Sequence, residues 1–474
     1  MKSGNTRSLM TAFAMLLIWA ASLAGPNVQD ATAAPGSGPI AFVHVTVIPM
    51  DAERIVTDQT VIVDHGAIVE IGPAARIKVP KGALVVDAAG KYLLPAFCDM
   101  HVHLLGEAWN MMLPPAEQLA RQDVPWDTFL FPYVANGVTT VQDLFSPPEL
   151  IALRGRIARG DVVGPRLILA RMIDGPMAWP PPLGVWVRTP EEAREAVRQA
   201  KKDGYDKIKV YSFLDKPSYD AIVSTAKELG MDVIGHIPMS LSLEYVLDSG
   251  QKLIAHTEEV SKHLDGDYRP ERIDAVADLM AKRGVWMTPT LIATESIIEI
   301  FDDPTRLAAR PEAAYYRHSM EQGTWTFMLD SLYKPIPDAG RKNIRDAFVQ
   351  FQRPFTLAVA RKGGKLMAGS DTVLPGLVPG FALHRELREL VTAGLTPYQA
   401  LRTATTAPYD YLGEGAVAGT IAKGRRSDLV LLDANPLTDI SNASKISGVM
   451  MRGRWIGAAE IQTKMQAIAD AGAH

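Results

Sequence analysis

Two kinds of hydrophobic pattern alternate along the chain. Between residues 38 and 90 the apolar positions fall in short alternating runs, "IAFVHVTVIP", "TVIVDHGAIVEIG" and "ALVVDAAG", with turn residues between them. A period of two marks strands with one buried face, so this segment predicts a small antiparallel sheet. Between residues 416 and 460, "GTIAKGRRSDLVLLDANP" and "ISGVMMRGRWIG" repeat the pattern. Two β-rich ends around one central region predict a small composite β-sandwich domain formed by both termini.

The centre, residues 91–415, reads differently. Apolar runs alternate with helical patterns: "LLPAFCDMHVH", "GVTTVQDLF", "PRLILARMI", "YDKIKVYS", "DVIGHIP", "KLIAHTEE", "VWMTPTLIA" and "KLMAGSDT". Amphipathic stretches such as "TPEEAREAVRQAKKDG" and "PERIDAVADLMAKRG" each have a capping-type start and a glycine stop. Eight strand–helix units predict an α/β fold, a (β/α)8 TIM barrel. An open doubly wound sheet is the alternative, but no G-x-G-x-x-G fingerprint follows any of these strands. Residues 461–474 are left as a C-terminal tail or helix.

Composition narrows the class. Of 474 residues 47% are hydrophobic, which excludes a disordered chain, and the formal charge of -4 gives no basic surplus for nucleic acid. The start has Lys2 and Arg7, an apolar run from Leu9 to Leu23, then small residues. That is the pattern of a signal peptide over residues 1–34, with cleavage after Ala24 or Ala34. An uncleaved anchor is the alternative, but the run is short for a membrane span. The expectation is an exported protein, periplasmic or secreted, without stable membrane insertion after cleavage. Cys98 is the only cysteine, so no intrachain disulfide forms, and its apolar neighbours make it a small buried residue. The oligomeric state is not legible, and a homo-oligomer stays open.

Chemistry in a (β/α)8 barrel sits at the carboxyl ends of the strands. There the first strand offers His101 and His103, which alternate onto one face. The fourth carries Lys209, with Lys207 and Tyr211 on the same face; the fifth ends at His236. The sixth gives His256, with Glu258 on the same face, and the eighth gives Asp371. The second and third offer Asp143 and Arg171, the seventh mostly Thr288 and Thr290. Histidines and a carboxylate converging on one mouth predict a metal centre. A lysine repels cations, but carbamylation by carbon dioxide turns it into an anion able to bridge two ions, and burial favours the neutral amine this needs. The competing roles are a structural ion pair or a cation that contacts substrate.

The order H-x-H, Lys, His, His, Asp resembles the amidohydrolase superfamily in its binuclear, carboxylated-lysine subtype. "PAFCDMHVH", "DKIKVY", "IGHIP", "IAHTEE" and "AGSDT", followed by "HRELRELVTAGLTPYQALRTATTAPYDYLG" and "GTIAKGRRSDLVLLDANPL", resemble its imidazolonepropionase-like branch. Xaa-Pro and Xaa-Arg dipeptidases and ochratoxinase stand near this group. The resemblance implies two divalent metal ions, with zinc the default for a histidine-rich hydrolytic site. It implies that His101 and His103 hold one ion with Asp371, that His236 and His256 hold the other, and that carbamylated Lys209 bridges them together with a hydroxide. Asp371 would move the proton from water to leaving amine, and Tyr211 would donate to the oxyanion or the substrate. The implied reaction is hydrolysis of an amide C–N bond in an N-acyl amino acid, a dipeptide or another non-standard peptide. An esterase or lactonase reaction at the same ions, a mononuclear deaminase, and a metal-free relative are the other readings.

Segments after the strands shape the pocket. They carry Trp109, Trp126, Trp179 and Trp186, and a long insertion of about residues 293–364 holds "YYRHSMEQGTWTFMLDSLY". These aromatics predict a small-molecule substrate with a bulky apolar or aromatic part, with Trp109 and Trp179 as candidate contacts. Arg171 is the candidate reader of a substrate carboxylate.

Overall fold

The computed structural model describes residues 38–104, 125–176, 184–315 and 325–471. Trp109, Trp179 and residues 1–34 lie outside them.

Eight strands run parallel in sequence order: Phe97–Val102, Val138–Asp143, Arg166–Asp174, Lys207–Val210, Asp232–Gly235, Leu253–Ala255, Trp286–Thr288 and Lys365–Leu366. The last closes on the first. Met100 N donates to Ala368 O, Asp371 N to His101 O, and Val102 bridges Thr372. The result is the expected (β/α)8 barrel. Its interior is filled by Cys98, Met100, Leu144, Ala170, Ile234, Leu253, Ala255, Trp286 and Met367, with Tyr409 and Tyr411 among them. Lys207, on the face that carries Lys209, sits over the Tyr411 ring at 4.5 Å and pairs with Asp232 at 2.6 Å. Its charge is thus used at the floor of the barrel.

The helices follow their local signals. In Pro190–Asp203, Thr189 accepts from Glu192 N, Pro190 opens the first turn, and Gly204 ends it with a left-handed φ of 91°. Pro270–Arg283 starts on its proline alone, since Arg269 makes no side-chain cap.

The strands of both termini form one eight-stranded sheet, in which Tyr92–Pro95 pairs with Leu429–Leu432. Phe42, Val45, Val61, Ile68, Leu93, Leu429 and Met450 make its own core. Leu94, Val430, Val449 and Ile456 belong instead to the core shared with the barrel. The sheet is not wholly antiparallel. Ile40–Val47 runs parallel to both Leu84–Asp87 and Tyr92–Pro95, because the chain after residue 73 crosses back before re-entering. A helix, Ala458–Ala471, follows. No helix among the described residues is long and apolar enough to cross a membrane.

Candidate metal centre

Six side chains meet where the strands end. Asp371 is the hub: Oδ1 lies 2.9 Å from His103 Nε2 and 3.3 Å from His101 Nε2, and Oδ2 lies 3.9 Å from His256 Nδ1. His101 and His256 have ring centres 4.5 Å apart, and His256 and His236 5.0 Å. One donor atom each from His101, His256 and Asp371 fall within 4.8 Å of one another.

Two glycines make this closeness feasible. A Cβ on Gly369 would stand 2.6 Å from His101 Cβ. Gly235 has φ +126°, and a Cβ there would stand 2.6 Å from Lys209 Cδ. The glycines in "VIGH" and "AGSD" are therefore spacers for the neighbouring strands.

Lys209 is 1% exposed. Burial pushes its pKa down to about 8, although Asp371, Glu259 and Asp174 pull the other way. Among the described residues no carboxylate comes within ion-pair distance of its amine; its aromatic neighbour is Tyr211, at 5.7 Å. Its charge is felt by His101, His236 and His256, whose pKa values all fall chiefly because they are buried, His256 to about 4. Neutral imidazoles are the form that binds metal. Burial opposes ionisation of Asp371, but His256, His103 and Lys209 hold its pKa below the usual carboxylate value.

The residues fit a metal ion. Nε2 of His101 is fully buried, and its 3.3 Å approach to Asp371 Oδ1 does not form a hydrogen bond, so a coordinate bond would satisfy it. Neutral nitrogens beside ionised oxygens are a borderline-soft donor set suited to a divalent transition ion.

Several supporting groups lie outside the pattern of strand-end ligands. His256 has a left-handed φ of 67°, and a helix, Thr257–Ser261, starts directly after it. The strand alternation that put Glu258 beside His256 therefore stops. Glu258 is left 41% exposed and pairs with Lys262, though its charge still reaches His256, while buried Glu259 turns in, 3.3 Å from His236 Nδ1. Ser212 Oγ lies 3.3 Å from the same nitrogen. A carboxylate on the far ring nitrogen fixes the tautomer and orientation of a ligating histidine. Asp99 ties the first strand to the eighth by accepting from Ser370 N and Oγ, and burial raises its pKa to about 7. Asp174 accepts from Ser212 N and Phe213 N, and so anchors the chain leaving the fourth strand. Asp143 does the same for Leu104 and Phe145.

The mouth is aromatic. Tyr211 is half-buried and lies tilted against His236 with ring centres 4.0 Å apart. Phe145 sets its edge to His103 at 5.9 Å. Tyr333, from the insertion, is buried, and after burial itself the charges of Asp371 and Glu258 push its pKa above the usual value. Trp126 is instead a buried residue of the main core. Arg171 does not join the centre. It shares the face of Ile208, which is turned to the helices. Its guanidinium lies 5.7 Å from the Tyr205 ring and donates to Ser146 O. His384, outside the site, bonds Asn136 O through Nε2.

A closed parallel barrel with these side chains at its carboxyl-end mouth is the architecture of an amidohydrolase-type hydrolase. Residues 92–456 match the amidohydrolase family model, and the chain belongs to that family. It is 31% identical to a 5-methylthioadenosine/S-adenosylhomocysteine deaminase of Symbiobacterium thermophilum over 82% of this chain and 84% of that protein. Among solved structures it is similar to a Xaa-Pro dipeptidase, with TM-score 0.67, 21% identity, and coverage of 89% and 100% of the two chains. The ochratoxinase of Aspergillus niger gives TM-score 0.66 at 19% identity, covering 89% of this chain and 96% of that one.

Proposed function

We propose that the chain is an exported, metal-dependent amidohydrolase with two divalent ions, zinc by default, that cleaves the amide C–N bond of a small molecule with a bulky apolar or aromatic part. Lys209 carries this reading: a fully buried amine, depressed to about 8, without a carboxylate partner among the described residues, electrostatically coupled to His101, His236, His256 and Asp371. Addition of carbon dioxide to its neutral Nζ forms one N–C bond, releases one proton and leaves an anion. His101 and His103 with Asp371 would hold one ion, His236 and His256 the other, and the carbamate would span both.

When bound, the ions supply the positive charge that acidifies an attacking water and polarises the scissile carbonyl. Asp371, held ionised by its histidines, takes a proton from that water and delivers it to the leaving nitrogen. Tyr211, against His236, donates a hydrogen bond to the carbonyl oxygen as negative charge builds there. Phe145, Tyr211 and Tyr333 give the mouth its preference for an aromatic group.

A hydrolysis survey of protein made with zinc and bicarbonate tests this. Cleavage of N-acyl amino acids or dipeptides with aromatic groups is expected. Turnover confined to esters and lactones would move the activity to that bond, and a preference for small charged dipeptides would remove the aromatic specificity. A second reading has one specific support, the deaminase relative matched over 82% of this chain. Release of ammonia from an aminopurine nucleoside, with one metal per chain, would favour it. The pattern over residues 1–34 supports export, and N-terminal sequencing of the protein recovered outside the cytoplasm decides between cleavage after Ala24 and after Ala34.

A further inference from the structure

The seventh strand supplies no expected ligand, yet it brings two hydroxyls under the histidines. Thr288 Oγ1 is 3.5 Å from His101 Nδ1, and Thr290 Oγ1 is 2.7 Å from His256 Nδ1. Thr290 is the more informative of the two. It is 2% exposed and precedes the helix Leu291–Asp302. A threonine there ordinarily turns its hydroxyl to the first free amides of the helix. Here it makes no such cap. Glu386, from the helix Phe381–Thr392, caps the helix in its place, its Oε2 accepting from Ile292 N at 2.8 Å. The threonine hydroxyl is thereby released for the histidine.

The backbone is bent to the same end. Thr290 has φ +50°, a conformation that β-branched residues rarely adopt, and it shares the left-handed region with His256 (φ +67°) and Asp371 (φ +56°). Strained residues at the ends of three adjacent strands are the kind of cluster found where geometry serves function. The contacts suit one tautomer of the histidine. With its proton turned to Pro289 O at 2.8 Å, Thr290 Oγ1 offers lone pairs to His256 Nδ1. In that arrangement His256 carries its proton on Nδ1, and Nε2 keeps its lone pair.

We propose that Thr290 is a positioning residue of the centre: its hydroxyl holds His256 with Nε2 free to bind an ion, while Glu386 relieves it of helix capping. This rests on the metal reading of the site given above. The test compares Thr290→Val and Thr290→Ser with the wild type. Valine keeps the shape and the backbone cost of threonine but not the hydroxyl. Zinc affinities are measured by competition with a chromophoric chelator, and thermal unfolding is followed on the metal-free proteins. The expected result is a loss of about 10- to 100-fold for one of two zinc equivalents in Thr290→Val, with the other equivalent and Thr290→Ser within about threefold of wild type. Two unchanged affinities in Thr290→Val overturn the proposal and leave the metal reading intact. Equal losses in both variants, together with lowered metal-free stability, also overturn it, by reducing Thr290 to a structural residue. A wild type that takes up no zinc defeats both.

Discussion

Lys209 lies against the backbone of Gly235 so closely that a single methyl group would displace it. A Cβ on Gly235 would meet Lys209 Cδ at 2.6 Å and the Val210 carbonyl oxygen at 2.2 Å. The position of Lys209 is thus set by a missing side chain on the next strand, one residue before His236.

Gly235→Ala follows from that contact. The clash involves backbone, and φ of +126° adds strain for any L side chain. A loss of about 2–4 kcal/mol is expected in denaturant unfolding. Activity should fall more steeply than stability, because Lys209 is pushed off its axis. A variant with wild-type activity per bound metal would show that the position of Lys209 is not critical.

Asp371→Asn keeps the shape of the hub and removes its basicity. Turnover per bound metal is expected to drop about 100- to 10,000-fold, the usual contribution of a positioned general acid–base group. Steady-state kinetics beside elemental analysis separate this from simple loss of metal. Unchanged turnover with metal bound would take the proton transfers away from Asp371.

Glu386 gives a pH prediction. Its carboxyl is fully buried, and burial raises its pKa from 4.5 to about 8. Between these values the folded state keeps a proton that the unfolded state has lost. The stability this group contributes is therefore complete below about 4.5 and is lost as pH rises through about 8. Glu386→Gln removes the titration and keeps an acceptor for Ile292 N. Its stability should pull ahead of wild type as pH rises, by about 3–4 kcal/mol between pH 5 and pH 8. Parallel melting curves for the two proteins from pH 5 to pH 8 would contradict it.

The side chains that gather at the mouth were legible because each sits in a local strand-end word: "HVH", "KIKVY", "IGH", "IAH", "AGSD". The barrel was legible because its strand and helix periods alternate. What stayed hidden depends on register between elements. Glu259 reaches His236 only because the sixth strand stops at Ala255 and a helix begins. Glu386 reaches the helix start after Thr290 from a neighbouring helix nearly a hundred residues away in sequence. Arg171 sits in an attractive word, but its register with Ile208 turns it outward, and a single strand does not reveal which parity faces in. The parallel pairs of the side sheet were hidden for the same reason, since strand direction follows from how the chain crosses back.

Metal stoichiometry in the wild type and in Lys209→Ala, both prepared with zinc and bicarbonate, decides the reading of the centre. Two ions per chain in the wild type and at most one in the variant are expected, with hydrolysis lost alongside and partly restored by a short carboxylic acid that takes the place of the carbamate. One ion in both proteins would make Lys209 a bystander and favour the deaminase reading. No ion in the wild type would remove the metal centre altogether.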